Sequence, residues 1–248
     1  MSTDRETAPG CWLETMTWVE AEAMLSEGRV VVIPLGAAAK AHGPHLPLNN
    51  DALIANWLAA EVAARLPVLV APLVNASFYP AFVDYPGSIS LRPETARDLV
   101  VDLCRSLAAH GASRIYVLNT GMSTEGPLKL AQTELEGLQF GFLRLGEAMQ
   151  RIPDGVLEQG WGSHADEHET SLMLHIAPGV VDMAKAVDDG SEGEGRLSRE
   201  PGHGTWSPSG VYGQATLATA EKGQAVAEAL LAQTLIDLEA LISGQSPN

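Results

Sequence analysis

Short runs of consecutive apolar residues alternate along this chain with longer stretches of helical spacing, and few architectures accommodate both. "RVVVIPLG" (29–36) and "VLVAPLV" (68–74) offer no polar face to water, so each reads as a strand buried on both sides. "RIYVLNTG" (114–121) is a third strand running into a glycine-containing loop. Between them lie "WVEAEAMLSE" (18–27), stopped by Gly28, and "DALIANWLAAEVAARL" (51–66), stopped by Pro67. The second repeats its apolar residues at i, i+3, i+4 and i+7. "LRPETARDLVVDLCRSLAAHG" (91–111) opens on Pro-Glu-Thr and closes at Gly111, as a capped helix should. "ETSLMLHIAPGVV" (169–181) has a helical pattern that ends at Pro-Gly, and a long helix spans 219–242. Strands alternating with helices predict an α/β fold: a mostly parallel central sheet covered on both faces, three αβα layers in all. At 248 residues the chain reads as one domain, 1–248, without internal repeats. Residues 154–169 are loop-like. Residues at about 188–210 are rich in Gly, Ser, Pro and charge, yet they carry His203 and Trp206, which points to an ordered excursion near a site.

Charge narrows the class of function. A net charge of −16 argues against nucleic acid and an anionic membrane surface as partners. Cys11 and Cys104 form neither a CxxC pair nor a disulfide framework, which suits a reducing compartment. The amino-terminal segment "MSTDRETAPGCWLE" has no apolar signal core, and no apolar run approaches the roughly 18 residues of a membrane span. The expectation is a cytoplasmic protein acting on a small molecule.

In open α/β sheets, ligands bind beyond the carboxyl ends of the strands. Those ends carry "GAAAKAHGPH", "NASFYP" and "NTGMSTEG". "HGPHLPLNND" (42–51) sets His42 and His45 three apart, with Asp51 nine residues beyond the first, on a segment stiffened by two prolines. "SHADEHETS" (163–171) offers His164, Asp166, Glu167, His168 and Glu169. Imidazole with carboxylate is the ligand chemistry of Zn²⁺, Mn²⁺ and Fe²⁺. The plain alternative is a solvated cluster of acids and histidines. His110 and His175 lie in helical patterns and read as surface or core residues. Lys40, two residues before His42, is an odd neighbour for a bound cation.

Four ordered segments, "GAAAKAHGPHLPLNNDALIA", "YPGSISLRPET", "SHADEHETSLML" and "GVYGQATLATAEKG", resemble the creatininase (creatinine amidohydrolase) family, whose first motif runs roughly G-S-T-E-Q-H-G-P-H-L-P-L-G-T-D. The resemblance covers nearly the whole chain. It implies a creatininase-like fold, a homo-oligomer that could be a hexamer, and a site built for two divalent metals. Carried over residue by residue, it implies His42, Asp51 and Glu167 as metal ligands, His164 as the group that moves protons, and Glu169 at the base of the site. Two ligands do not carry over. The family's first Glu falls on Lys40 (or, in a shifted register, on Ala39), and the His of its N-G-H loop falls on Gly121. Both losses affect one metal position. The resulting expectation is a metal-dependent hydrolase of a small cyclic amide or related C–N bond. It would hold one divalent ion, Zn first and Mn or Fe next, with Lys40 replacing the second ion or acting as acid, base or nucleophile. A solvent-facing Lys40 is the alternative. Thr120 and Ser123 are expected to face a developing oxyanion. Trp161, His203 and Trp206 are expected to form a lid or wall, and His45 to be structural. Two alternative functions stay open: a hydrolase opening a cyclic ketone or sugar-like ring, and a catalytically inactive binding protein of the same fold.

Overall fold

A computed structural model of the chain describes residues 9–190 and 196–245. Residues 191–195, part of the expected excursion, lie outside them. In chain order the elements are β1 (Cys11–Trp12), α1 (Trp18–Ser26), β2 (Val31–Leu35), α2 (Asn50–Ala63), β3 (Leu69–Val70), α3 (Pro93–Ala108), β4 (Arg114–Asn119) and α4 (Glu125–Glu134). They continue with β5 (Gln139–Phe142), α5 (Leu145–Met149), α6 (Glu167–Ile176), β6 (Asp188–Asp189), β7 (Leu197–Ser198), β8 (Thr205–Trp206), β9 (Gly213–Gln214) and α7 (Ala220–Ile242). The central sheet has the order β1-β3-β2-β4-β5, and every pairing in it is parallel. No helix among the described residues is long and apolar enough to cross a membrane.

The period of two along a strand explains the layers. Val30 and Val32 belong to one buried cluster, together with Leu58 of α2, Leu172 of α6 and Leu230 of α7. Val31, Ile33 and Leu35 belong to another, with Val100 of α3 and Leu128 of α4. Successive side chains of a strand point to opposite faces, so one continuous apolar run feeds two cores. β4 repeats the arrangement, with Tyr116 and Leu118 on the α2/α7 side and Ile115 and Val117 on the other. The three-layer expectation holds.

Elements between 122 and 153 escaped the sequence reading: α4, β5 and α5 are short, and "QFGF" carries a glycine inside a strand. α6 begins at Glu167 rather than at 169, because the Asp166 side chain accepts from the Glu169 backbone N–H and caps it. The described part of the 188–210 excursion is ordered. β6 pairs with β9 and β7 with β8, and the Asp189 carboxylate accepts from Ser207 Oγ and the Ser209 N–H.

Candidate active site

The carboxyl ends of β2 and β4 meet the amino end of α2, and one glycine makes this possible. A Cβ on Gly36 would stand 2.2 Å from the Asp51 carbonyl oxygen, so only glycine lets the first turn of α2 press against the end of β2. The Ala52 N–H donates to the Ala37 carbonyl at 3.1 Å and the Lys40 N–H to that of Leu48 at 2.9 Å, closing the intervening loop on itself. That closure buries Lys40, His42 and Asp51 together.

Asp51 is the hub. Its Oδ2 is 2.7 Å from Lys40 Nζ and its Oδ1 is 2.8 Å from His42 Nε2. Burial alone would raise its pKa, but the Lys40 ammonium and the His42 ring hold it well below the usual carboxylate range. Lys40 points inward, 4 % exposed, and its ammonium lies over the rings of Phe82 and Tyr79, 4.9 and 5.5 Å from their centroids. His42 Nδ1 is 2.9 Å from the Lys40 carbonyl oxygen, which can only accept, so Nδ1 carries a proton. Nε2 then faces a carboxylate oxygen at 2.8 Å. Two lone pairs do not tolerate that contact unmediated; a cation, proton or metal, must sit between them.

His164 packs beside this group, its ring centroid 4.7 Å from that of His42 and 4.2 Å from that of Phe82. Its Nε2 donates to the Ala41 carbonyl at 2.8 Å, leaving Nδ1 bare and 3.5 Å from Glu169 Oε2. Burial first, then the charges of His42 and Lys40, push the His164 pKa well below its ordinary value. It is therefore neutral at pH 7. The strand-like bridge to Tyr212 fixes its backbone, and the next residue, Ala165, adopts φ = +48°, which a non-glycine residue holds only under constraint. The Ala165 N–H donates to Glu169 Oε2 at 2.6 Å, which aims that carboxylate back at His164. His42, His164 and Glu169 each offer one ligand atom, and these atoms lie within 4.8 Å of one another.

The structure does not bring Glu167 to His42 and Asp51. Its buried carboxylate accepts from the Glu158 N–H at 2.9 Å and the Gln159 N–H at 2.7 Å, and it is ion-paired with Lys222 of α7. The carboxylate is thereby committed to tying the 158–159 loop to α7. The one that joins the site is Glu169.

Lys40, His164 and Glu169, with fully buried His42 and Asp51 behind them, open on a cavity of about 480 Å³ that Phe82, Tyr212 and largely aliphatic side chains also line. Thr120 and Ser123 also line it, but their hydroxyl protons are committed elsewhere. Thr120 Oγ1 donates toward the Leu35 and Asp51 carbonyls, and Ser123 Oγ donates to that of Phe78. Among the described residues, Trp161, His203 and Trp206 do not line the cavity. Trp161 packs on Tyr212 at 5.8 Å outside the lining, and Trp206 is 41 % exposed. His203 is exposed next to Glu200. Phe82 and Tyr212 supply the aromatic wall instead. His45 lies off the cavity, paired with Thr170 Oγ1 at 2.8 Å, its pKa lowered to about 4 by burial and by His42. His168, which the sequence reading left without a role, lines the cavity with Nδ1 2.7 Å from Asp166 Oδ1. Burial opposes its charge, but Asp166, with Glu169 and Glu167 behind it, raises its pKa to about 9.

At Gly121, where the resemblance placed a histidine, Tyr79 closes in: a Cβ there would lie 3.5 Å from Tyr79 Cε1. The Tyr79 hydroxyl and both amide atoms of Asn50, the neighbour of Asp51, are buried without a hydrogen-bond partner among the described residues. Orphaned polar atoms around a shared carboxylate mark a site made for something beyond the polypeptide.

A family model described as creatinine amidohydrolase matches residues 14–238. The chain is 32 % identical to the creatinine amidohydrolase of Pseudomonas putida over 196 residues, covering 70 % of this chain and 74 % of that one. It is 32 % identical to the mycofactocin precursor peptide peptidase of Mycobacterium ulcerans (strain Agy99) over 209 residues, covering 79 % of each. A 3-dehydro-scyllo-inosose hydrolase of Thermotoga maritima is 26 % identical over 255 residues, covering 91 % of this chain and 82 % of that one. Among solved structures, a manganese creatininase superposes with a TM-score of 0.74 at 26 % identity, covering 95 % of this chain and 99 % of that one. A creatininase variant described as Zn-Zn type gives the same score and identity, covering 95 % and 98 %.

Proposed function

The chain belongs to the creatininase family of hydrolases, and from that premise we propose that it cleaves a carbonyl–nitrogen bond of a small, cyclic amide with the help of one divalent ion. The observation that carries this reading is the His42–Asp51 contact, in which a nitrogen whose ring proton is spent on the Lys40 carbonyl meets a carboxylate oxygen at 2.8 Å. A metal-binding histidine commonly donates its other ring N–H to a carbonyl in this way. His42 and Glu169, whose ligand atoms lie within 4.8 Å of each other, would hold the ion with Asp51 behind His42, and the relatives' structures favour Zn or Mn. When bound, it supplies Lewis acidity toward a carbonyl and toward water.

The chain's own residues do the rest. Lys40 holds a fixed positive charge on the far oxygen of Asp51, where the resemblance places a second metal, and faces the cavity. A charge organised before the reaction costs no rearrangement during it. Neutral His164 accepts at Nδ1 a proton from the attacking water, whose oxygen bonds to the carbonyl carbon, and gives it to the nitrogen as the C–N bond breaks, while Glu169 steadies the charged ring. Phe82 and Tyr212 exclude water from the substrate's faces. Cytoplasmic location and homo-oligomeric assembly complete the proposal.

Lys40→Met tests it directly. Expected are zinc content near one ion per chain by mass spectrometry, a fall in turnover of about a hundredfold or more, and lower stability from an uncompensated Asp51. Unchanged turnover with unchanged metal sinks the role of Lys40, and no bound metal in the parent protein sinks the metal-dependent reading. A second reading, opening of a cyclic ketone, draws on the Thermotoga relative and on an amine at the cavity wall. Borohydride trapping of a Lys40 adduct would favour it.

A further inference from the structure

The cavity is larger and more apolar than its charged end requires. Its volume is about 480 Å³. Besides Lys40, His164 and Glu169, the lining includes the aliphatic Met122, Leu145, Met149 and Leu157. Leu145 and Met149 are four apart on α5 and so share one face of that helix. Leu145 and Leu157 pack against the edge of the α2/α7 core yet stay half-buried, as Met149 does, and Met122 is 59 % exposed. Left against water they forgo the hydrophobic gain that burial would bring. Two of the four are methionines, which adapt their shape to a guest. A polar ring no larger than the charged end would leave this wall wet.

We infer that the substrate carries a sizeable aliphatic group next to its scissile carbonyl, seated along Met122, Leu145, Met149 and Leu157. The inference rests on the hydrolase reading for the placement of the carbonyl at the Lys40 end. It commits to a small molecule with an apolar body, in contrast to a compact polar heterocycle.

The test is a binding series on the metal-loaded protein, using straight-chain primary amides from propanamide to octanamide and ligand-observed NMR titration. Dissociation constants should fall about fourfold per added methylene, the equivalent of ~0.8 kcal/mol for a buried CH₂, until the wall is covered. Values that stay within about twofold across the series overturn the inference, since burial on such a wall predicts far more. Met149→Asp should weaken octanamide about tenfold and leave propanamide unchanged. Leu130→Asp, exposed on α4 and outside the cavity lining, should change neither. Equal loss in both variants, or none in Met149→Asp, counts against the inference. Should Met149→Asp fail to fold, the chain-length series on the parent still decides. Binding that tightens with chain length while neither octanamide nor its cyclic counterparts, alkyl-substituted lactams, are cleaved with zinc supplied would sink the hydrolase reading and leave this inference standing. Cleavage at a rate indifferent to chain length, with flat binding, would do the reverse.

Discussion

His164 and Glu169 divide their labour through a single proton. Because Nε2 of His164 donates to the Ala41 carbonyl, only Nδ1 is open, and it faces Glu169 Oε2 at 3.5 Å. Removing the ring should therefore cost chemistry without costing the ion. For His164→Asn we expect turnover to fall between about 10²- and 10⁴-fold, the ordinary range for one acid–base group, with zinc content as in the parent. Parallel measurement of turnover and metal by mass spectrometry checks this. Loss of zinc in step with activity would make His164 a ligand and reassign the proton transfer to another group. Lys40, His42, Asp51, His164 and Glu169 were all legible as chemistry-bearing residues, since each sits in a dense polar motif interrupting apolar sequence. Their partners were less so. The Thr120 and Ser123 protons are absorbed by the carbonyls of Leu35, Asp51 and Phe78, contacts between residues distant in sequence that spacing does not reveal.

Glu167 and Glu169 show how an element decides between neighbours. Both stand in the first turn of α6, and two residues on a helix are separated by about 200° of rotation. One carboxylate therefore faces the cavity and the other faces away, into α7. Placing the helix start at 169 hid that geometry, because it left Glu167 in a loop where any direction was open. The capping side chain of Asp166 was the available signal, in an Asp-x-x-Glu sequence that resembles a capping box. The consequence is testable. Glu167→Gln keeps an acceptor for the Glu158 and Gln159 N–H groups but removes the charge facing Lys222, which retains Glu158 at 2.7 Å. We expect a loss of about 2 kcal/mol in urea denaturation, below the roughly 3–5 kcal/mol of a wholly broken buried pair, with unchanged zinc content. Loss of metal in that variant would restore Glu167 to the site. The strands were easier to read than the helix boundaries, because β2 and β4 are buried on both faces and their apolar runs leave no polar face to confuse the pattern. The short elements between 122 and 153 carry too few residues for a period to emerge.

Across the molecule, the histidines set opposite limits on stability. His45 has a folded pKa lowered to about 4, mainly by burial, so its neutral form belongs to the fold. An unfolded chain takes up its proton near pH ~6.5, and stability contributed by the neutral ring is complete above that pH. It is lost as the pH falls from about 6.5 toward 4, by on the order of 3 kcal/mol, since each tenfold change in proton affinity is worth about 1.4 kcal/mol. His168 runs the other way. Its pKa, raised to about 9 against the cost of burial by Asp166 at 2.7 Å, means that the charged ring belongs to the fold. Its contribution is complete below about 6.5 and is lost as the pH rises through 9. Stability should therefore peak near neutrality and decline on both limbs, the acid one shared by buried His45 and His164 and the alkaline one due to His168. Urea midpoints measured from about pH 4 to about pH 9.5 check it. His45→Asn should make the acid limb shallower, leaving the part due to His164, and keep the alkaline one, whereas His168→Asn should flatten the alkaline limb and keep the acid one. A parent profile flat between about pH 6.5 and 9 would mean that His168 is not held charged by Asp166. The electrostatic account of the cavity wall would then fail at that residue.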